Sequence, residues 1–388
     1  CLKMLNDLWV HGSVREYEDY ESLVIQNLYG FKKQMRHVKS RPISLLYQTL
    51  DVSFTDKNID LFVCFQNGVI PTVGVTCLSV NEGWIDQNGL KIVNRLKNSL
   101  VSLTVDTSSN LSSDDVKRLN EWLQHHSKNG RPVHLAITGP MITTNFLNET
   151  QTLRTLKLRS LDDTSITSDN KRDLTSFMIQ GGKSLSTVEL SYYPIGTESV
   201  SSVLTSVQNC RNLTINGADL ECCVIDTDQM NEQEEQQQTA DVMHGHVSSP
   251  QLLSSLQSLL SRNSVLTSIN LNDNYYLGDE AVEILAKSTS LKHLSLDDCG
   301  LTSRALIAIL RDSTSIQKLS MAANDLDDKA LDRMLLERNT TLREIDLSGN
   351  LSLTESGFGN LMFNRTIDTL IINGCPGSVS DATVQQLS

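Results

Sequence analysis

Cys222, Cys223, Asp226, Asp228, His244 and His246 are the side chains of this 388-residue chain with the chemistry to hold a soft divalent metal, since thiolate and imidazole are the ligands such an ion prefers. Adjacent cysteines sit awkwardly on one tetrahedral ion, and the polar segment around them offers no rigid outer shell to orient the ligands. No metal and no other cofactor is therefore expected. Gly181 to Ser184, reading GGKS, looks like the tail of a phosphate-binding loop, but Phe177 stands where the first glycine belongs. The order is also reversed: a helical run leads into a strand, whereas a phosphate cradle needs a strand leading into a helix N-terminus. These glycines read instead as a helix stop. His125 and His126 close the helical run DVKRLNEWLQHH, where cations suit the end of a helix. No Ser, His and Asp stand in the context of a triad, so no catalytic residue is assigned.

The strongest signal is structural. The pattern L-x-x-L-x-L-x-x-N/C begins at Leu266, Leu291, Ile316, Leu342 and Ile367, at intervals of 25, 25, 26 and 25 residues. Alternation such as Leu342, Ile345, Leu347 puts apolar side chains on one face of a short strand. Helical spacing follows, as in Ala305, Ile309 and Leu310, or Ala330, Met334 and Leu335. Polar stretches such as KSTS and DSTS then return the chain to the next strand. Asn274, Cys299, Asn324, Asn350 and Cys375 occupy the turn after each strand, where an amide can donate and accept hydrogen bonds to otherwise orphaned backbone groups. Stacked units would align them as a ladder. Weaker copies begin at Val75, Leu100, Pro132, Leu153, Leu185 and Cys210.

These residues resemble the leucine-rich repeat superfamily, in its intracellular ribonuclease-inhibitor-like or cysteine-containing branch. The resemblance implies an α/β solenoid, a horseshoe with a concave parallel sheet and convex helices. Residues 73–388 are assigned to it. Residues 1–72 lack the repeat; Tyr17, Tyr20, Val24, Leu28, Phe31, Met35 and Val38 recur in steps of three or four and predict an amphipathic helix, ending before Pro42, that caps the open edge. Its basic cluster, Lys32, Lys33, Arg36, Lys39 and Arg41, is balanced by Glu16, Glu18, Asp19 and Glu21 and reads as a solvated face. An acidic loop is expected at about 217–249, because from Asn212 to Ser261 there are eight Asp or Glu and no Lys or Arg. A helix resumes at SPQLLSSLQSLLSR.

The residues between the leucines are left for a partner. They supply Lys157 and Arg159 as a basic spot, Glu189 beside it, and a polar, acidic stretch of Asn270, Asn272, Asp273, Asp297, Asp298 and Asp346. Another protein, with a basic surface, is the expected partner. A net charge of -13 excludes a general nucleic-acid-binding surface, and no apolar run reaches the ~18 residues of a membrane-spanning helix. Eight cysteines without a CxxC pair or a dense framework point to a reducing, cytoplasmic setting. The chain opens at Cys1 without a leader, which predicts no signal peptide, and the missing Met suggests a fragment or processed form. The expected function is a non-catalytic scaffold or subunit of a larger assembly. Two alternatives share such repeats: a Ran-activating-like regulator of a small GTPase, which needs exposed Asn or Arg aimed at a nucleotide, and the recognition arm of a ubiquitin ligase, which needs an F-box absent from residues 1–72.

Overall fold

The computed structural model describes residues 22–24, 49–52, 76–80, 85, 90–108, 110–139, 152–161, 168–220, 248–361 and 363–375. The chain divides into two compact units, Cys1–Thr164 and Ser165–Ser388.

In the first unit the strands are β1 (Ser22–Val24), β2 (Thr49–Val52), β3 (Cys77–Val80), β4 (Ser102–Asp106), β5 (Val133–Gly139) and β6 (Leu153–Ser160). They pair in sequence order and all in parallel. Helix α1 (Lys91–Leu96) links β3 to β4, and α2 (Ser113–Lys128) links β4 to β5. A parallel neighbour demands a crossover, and these helices supply it. Ser112 begins α2 by accepting from the Asp115 N–H while its own hydroxyl donates to the Asp115 carboxylate at 2.6 Å. Trp122, fully buried, donates its indole N–H to the Leu100 carbonyl at 3.0 Å and pins α2 beneath β4.

The second unit begins with α3 (Ser168–Gly181) and a 3-10 turn, Gly182–Ser184. The GGKS glycines therefore do end a helix, and Gly182 lies so close to Ser206 that a Cβ would meet its Cβ at 3.0 Å. Then follow β7 (Thr187–Ser191), α4 (Gly196–Ser206), β8 (Asn212–Asn216), α5 (Pro250–Arg262), β9 (Ser268–Asn270), α6 (Asp279–Ala286), β10 (His293–Ser295), α7 (Ser303–Asp312) and β11 (Lys318–Ser320). A 3-10 turn at Asp328–Leu331, α8 (Arg333–Arg338), β12 (Glu344–Asp346), α9 (Glu355–Leu361) and β13 (Thr369–Ile371) complete it. Strands β7 to β13 again pair in order and in parallel. Leu294 faces Leu319 in register, and both are buried, as are Leu291, Leu296, Ile316 and Met321. Each such side chain contributes about 1.5–3 kcal/mol when removed from water, so every repeat is held by its neighbours. Each unit is an α/β solenoid of strand-and-helix repeats.

Two expectations need correction. Residues 22–24 are strand, where the periodicity predicted helix. Pairing with β2 overrides a local pattern that a short apolar stretch states ambiguously; the remainder of the expected helical cap lies outside the described residues. In the repeat after β11 the helix is broken at Asp332, whose extended backbone and side chain cap Leu335. The restart rotates the face, so Met334 is 61% exposed and Leu336 is buried in its stead. The helix expected after Ser249 begins where Pro250 at its first turn requires. Residues 221–247, on which most of the expected acidic loop falls together with Cys222, Cys223, His244 and His246, lie outside the described residues.

Candidate functional site: the helix-free face of the second unit

The turn that ends each strand fixes this face. Tyr192, Gly217, Asp273, Asp298, Ala323, Gly349 and Gly374 all have φ between 52° and 75°, and each directly precedes a buried or half-buried side chain: Tyr193, Ala218, Asn274, Cys299, Asn324, Asn350 and Cys375. The left-handed residue reverses the chain and drives the next side chain inward. Asn274 donates to the carbonyls of Ile215 at 2.6 Å and Leu271 at 2.8 Å and accepts from the Ala218 N–H at 3.0 Å. Asn324 donates to the Leu296 carbonyl at 2.8 Å and accepts from the N–H groups of Cys299 at 3.1 Å and Leu301 at 3.0 Å. Asn350 donates to the Met321 and Leu347 carbonyls and accepts from the Leu326 N–H. Cys299 and Cys375 donate their thiols to the Leu271 and Leu347 carbonyls at 3.1 and 3.3 Å. Burial pushes the Cys299 thiol up to about 12, which leaves it a packing group rather than a nucleophile.

A second ladder, which the sequence reading missed, runs where each helix turns into the next strand. Asn263, Ser288, Ser313, Asn339 and Asn364 are all buried and lie three residues before the leading apolar position of their repeats. Asn364 donates to the carbonyls of Leu336 at 2.6 Å and Asn339 at 3.0 Å, and accepts from the N–H groups of Thr366 and Ile367 at 2.8 Å. The recurrence of Asn or Ser at that offset was the available signal. A third set ties helix starts together: Asp279 accepts from the Thr302 backbone and hydroxyl, and Asp328 does the same for Thr354.

Between these ladders lies the face opposite the leucines. Asn270, Ser295, Ser320 and Asp346 form its half-exposed floor. Asp297 is locked into it. Its carboxylate accepts from Asn272 Nδ2 at 2.9 Å, the Ala322 N–H at 2.8 Å, and the hydroxyls of Ser320 and Ser295. Its own N–H donates to Asn272 Oδ1 at 2.9 Å. Asp346 accepts from the Ser348 N–H at 2.9 Å. Asp273 and Asp298 are exposed at the turns rather than on the strands. Burial raises the Asp273 carboxyl above the usual range; the hydrogen bond from Tyr192 Oη at 3.3 Å works against this, and the charges of Asp298 and Asp297 add to it. Tyr275, 51% exposed, meets Tyr276 edge-on with ring centres 5.5 Å apart. Of the remaining sequence candidates, Glu189 is half-buried on β7, while Lys157 and Arg159 are exposed on β6 of the first unit. Among the described residues no group of three His, Cys, Asp or Glu is placed to hold a metal, and no helix is long and apolar enough to cross a membrane.

The family model for the leucine-rich repeat matches residues 287–310 and 338–354. Among solved structures, Rad7 in the yeast Rad7–Elc1 complex is 15% identical with a TM-score of 0.54, over 88% of this chain and 77% of that one. The leucine-rich repeat-containing protein LegL7 from Legionella pneumophila is 15% identical with a TM-score of 0.39, over 81% of this chain and 91% of that one. No curated protein matches the sequence. Residues 287–310 and 338–354 are thus leucine-rich repeats, set within the strand-and-helix solenoid described above.

Proposed function

We propose that this leucine-rich-repeat chain is a non-catalytic, intracellular protein-binding scaffold that receives a partner on the helix-free face of residues 186–375. The observation that carries the reading is the floor itself: small polar side chains, half-exposed and held in place by hydrogen bonds along Asn272, Asp297, Ser320 and Ala322, with exposed carboxylates and Tyr275 at the margin. Such a surface is preorganised and open enough for a helix or loop, so binding would cost little ordering of the scaffold. The fold it shares with Rad7, whose crystal structure is of a complex with Elc1, supports the class of function and no particular partner.

The test is crosslinking with mass spectrometry on complexes recovered from native cells, comparing the unaltered chain with Asp273→Asn/Asp298→Asn. Asparagine suits a left-handed turn as well as aspartate does, so only charge is removed. Asp297 is unsuitable for the purpose, because altering it strips four hydrogen bonds from the floor. One protein crosslinked to the strands and weakened in the variant is the expected result. Recovery of partners attached only elsewhere would refute the reading.

A further inference from the structure

The same face is charged unevenly from side to side. Along the strand starts stand Arg211, Lys292, Lys318 and Arg343, exposed or half-exposed, with His293 exposed among them. Two acids share that row: Glu344, whose carboxylate Lys318 holds at 2.7 Å, and Asp368 at the far end. Along the strand ends stand Asp273, Asp297 and Asp298, and among the described residues no Lys or Arg joins them.

The two rows are separated by a distance that suits one kind of occupant. Five residues of strand between Lys292 and Asp297 cover about 17 Å. An α-helix with its side chains is about 10–12 Å across, so a helix laid over the strands has one flank near each row. From β8 to β12 the floor is about 19 Å long, which about 13 helical residues span. Asn270, Ser295 and Ser320 are short enough to let the helix approach the sheet. Asp273, crowded by Asp297 and Asp298, gains from a cation placed beside it.

We infer that the segment received here is an α-helix of a partner protein with acidic residues along one flank and basic residues along the other, lying across the strands with its acids over the strand starts and its bases over the strand ends. This rests on the protein-binding reading above and narrows it, replacing a simply basic partner by one of two-sided charge. A uniformly basic occupant would be repelled along Arg211, Lys292 and Arg343, and a uniformly acidic one along the aspartates.

The test uses three labelled alanine-rich helical peptides of ~18 residues: one with Glu along one flank and Lys along the other, one with Lys on both, one with Glu on both. Their binding to the full chain is read by fluorescence anisotropy at low salt, where such contacts are least screened. The two-signed peptide is expected to bind about ten-fold more tightly than either control. Both Lys292→Gln/Lys318→Gln and Asp273→Asn/Asp298→Asn should erase that preference. Equal or tighter binding of the all-Lys peptide would reduce the face to an acidic patch and overturn the inference. Failure of all three peptides would overturn it as well, whereas a partner crosslinked to the strands in cells would leave the scaffold reading standing.

Discussion

Replacing Asn324 by Ala is the sharpest probe of what holds the repeats together. The amide accepts from the backbone N–H groups of Cys299 and Leu301 and donates to the carbonyls of Leu296 and Ala322. Asn324 itself is only 6% exposed, so the groups it leaves behind have poor access to water. At a net value of about 1 kcal/mol for each of these bonds, the loss comes to about 4 kcal/mol. The chain supplies its own intermediate case, since Cys299 and Cys375 fill the same position with a thiol that donates to the preceding repeat. Asn324→Cys keeps a donor toward Leu296 but no second donor and no good acceptor for the two N–H groups, and should lose about three-quarters as much. Repeat arrays need not unfold in one step, so a global midpoint would blur the effect. Hydrogen exchange read amide by amide avoids this. The Cys299 and Leu301 amides in Asn324→Ala should exchange about a thousand-fold faster, with Asn324→Cys between it and the unaltered chain. Protection within threefold of the original in the Ala variant would mean that the ladder is ornamental and that the leucines alone specify the stacking.

Other expectations follow from single groups. Ala323 sits at φ 53°, where a Cβ costs about 1–2 kcal/mol, so Ala323→Gly should slow hydrogen exchange of the amides around that turn and Gly349→Ala, at φ 70°, should speed it around its own. His126 is fully buried, and burial followed by the charge of His125 lowers its pKa below the ordinary 6.5. The unfolded chain therefore takes up the proton first as pH falls; the first unit should hold its full stability above about pH 6.5 and lose it below, and His126→Leu should flatten that part of a pH-dependent unfolding curve. With its thiol pushed up to about 12 by burial, Cys299 should resist alkylation in the native protein and react only in denaturant, as peptide mapping would record.

The second unit was largely legible because its signal is periodic. Leu266, Leu291, Ile316, Leu342 and Ile367 mark the strand starts, and the weaker copies at Val75, Leu100, Pro132, Leu153, Leu185 and Cys210 also lead into strands. Position 193 is Tyr and position 218 is Ala, so the turn persists there without an amide, because the left-handed residue before it makes the reversal. The ladder of Asn263, Ser288, Ser313, Asn339 and Asn364 escaped notice because Asn and Ser before a strand look like ordinary loop composition until their burial is seen. Asp297 shows a different limit: its charge marked it as a contact residue, and the structure adds that its carboxylate also accepts from Asn272, Ser295, Ser320 and Ala322. A charge in a sequence does not reveal what its neighbours have already claimed. Met334 was misplaced because a cap such as Asp332 resets helical phase in a way that counting residues cannot follow.

The ladders also have a direction. Asn274, Asn324 and Asn350 reach back to the carbonyls of Ile215, Leu296 and Met321, and Asn263, Asn339 and Asn364 to those of Val207, Leu310 and Leu336. In each case the bonding side chain belongs to the repeat made later on the ribosome. A nascent chain halted at a repeat boundary thus has its ladder amides satisfied and leaves open backbone groups, with carboxylates such as Asp279 and Asp328, that water can serve. Synthesis in the opposite sense would strand an amide at every pause. Truncations from the C-terminal side at repeat boundaries should therefore stay folded where equal truncations from the N-terminal side do not, a contrast that limited proteolysis of matched fragments would reveal. The order of translation is built into the side chains that seal each interface.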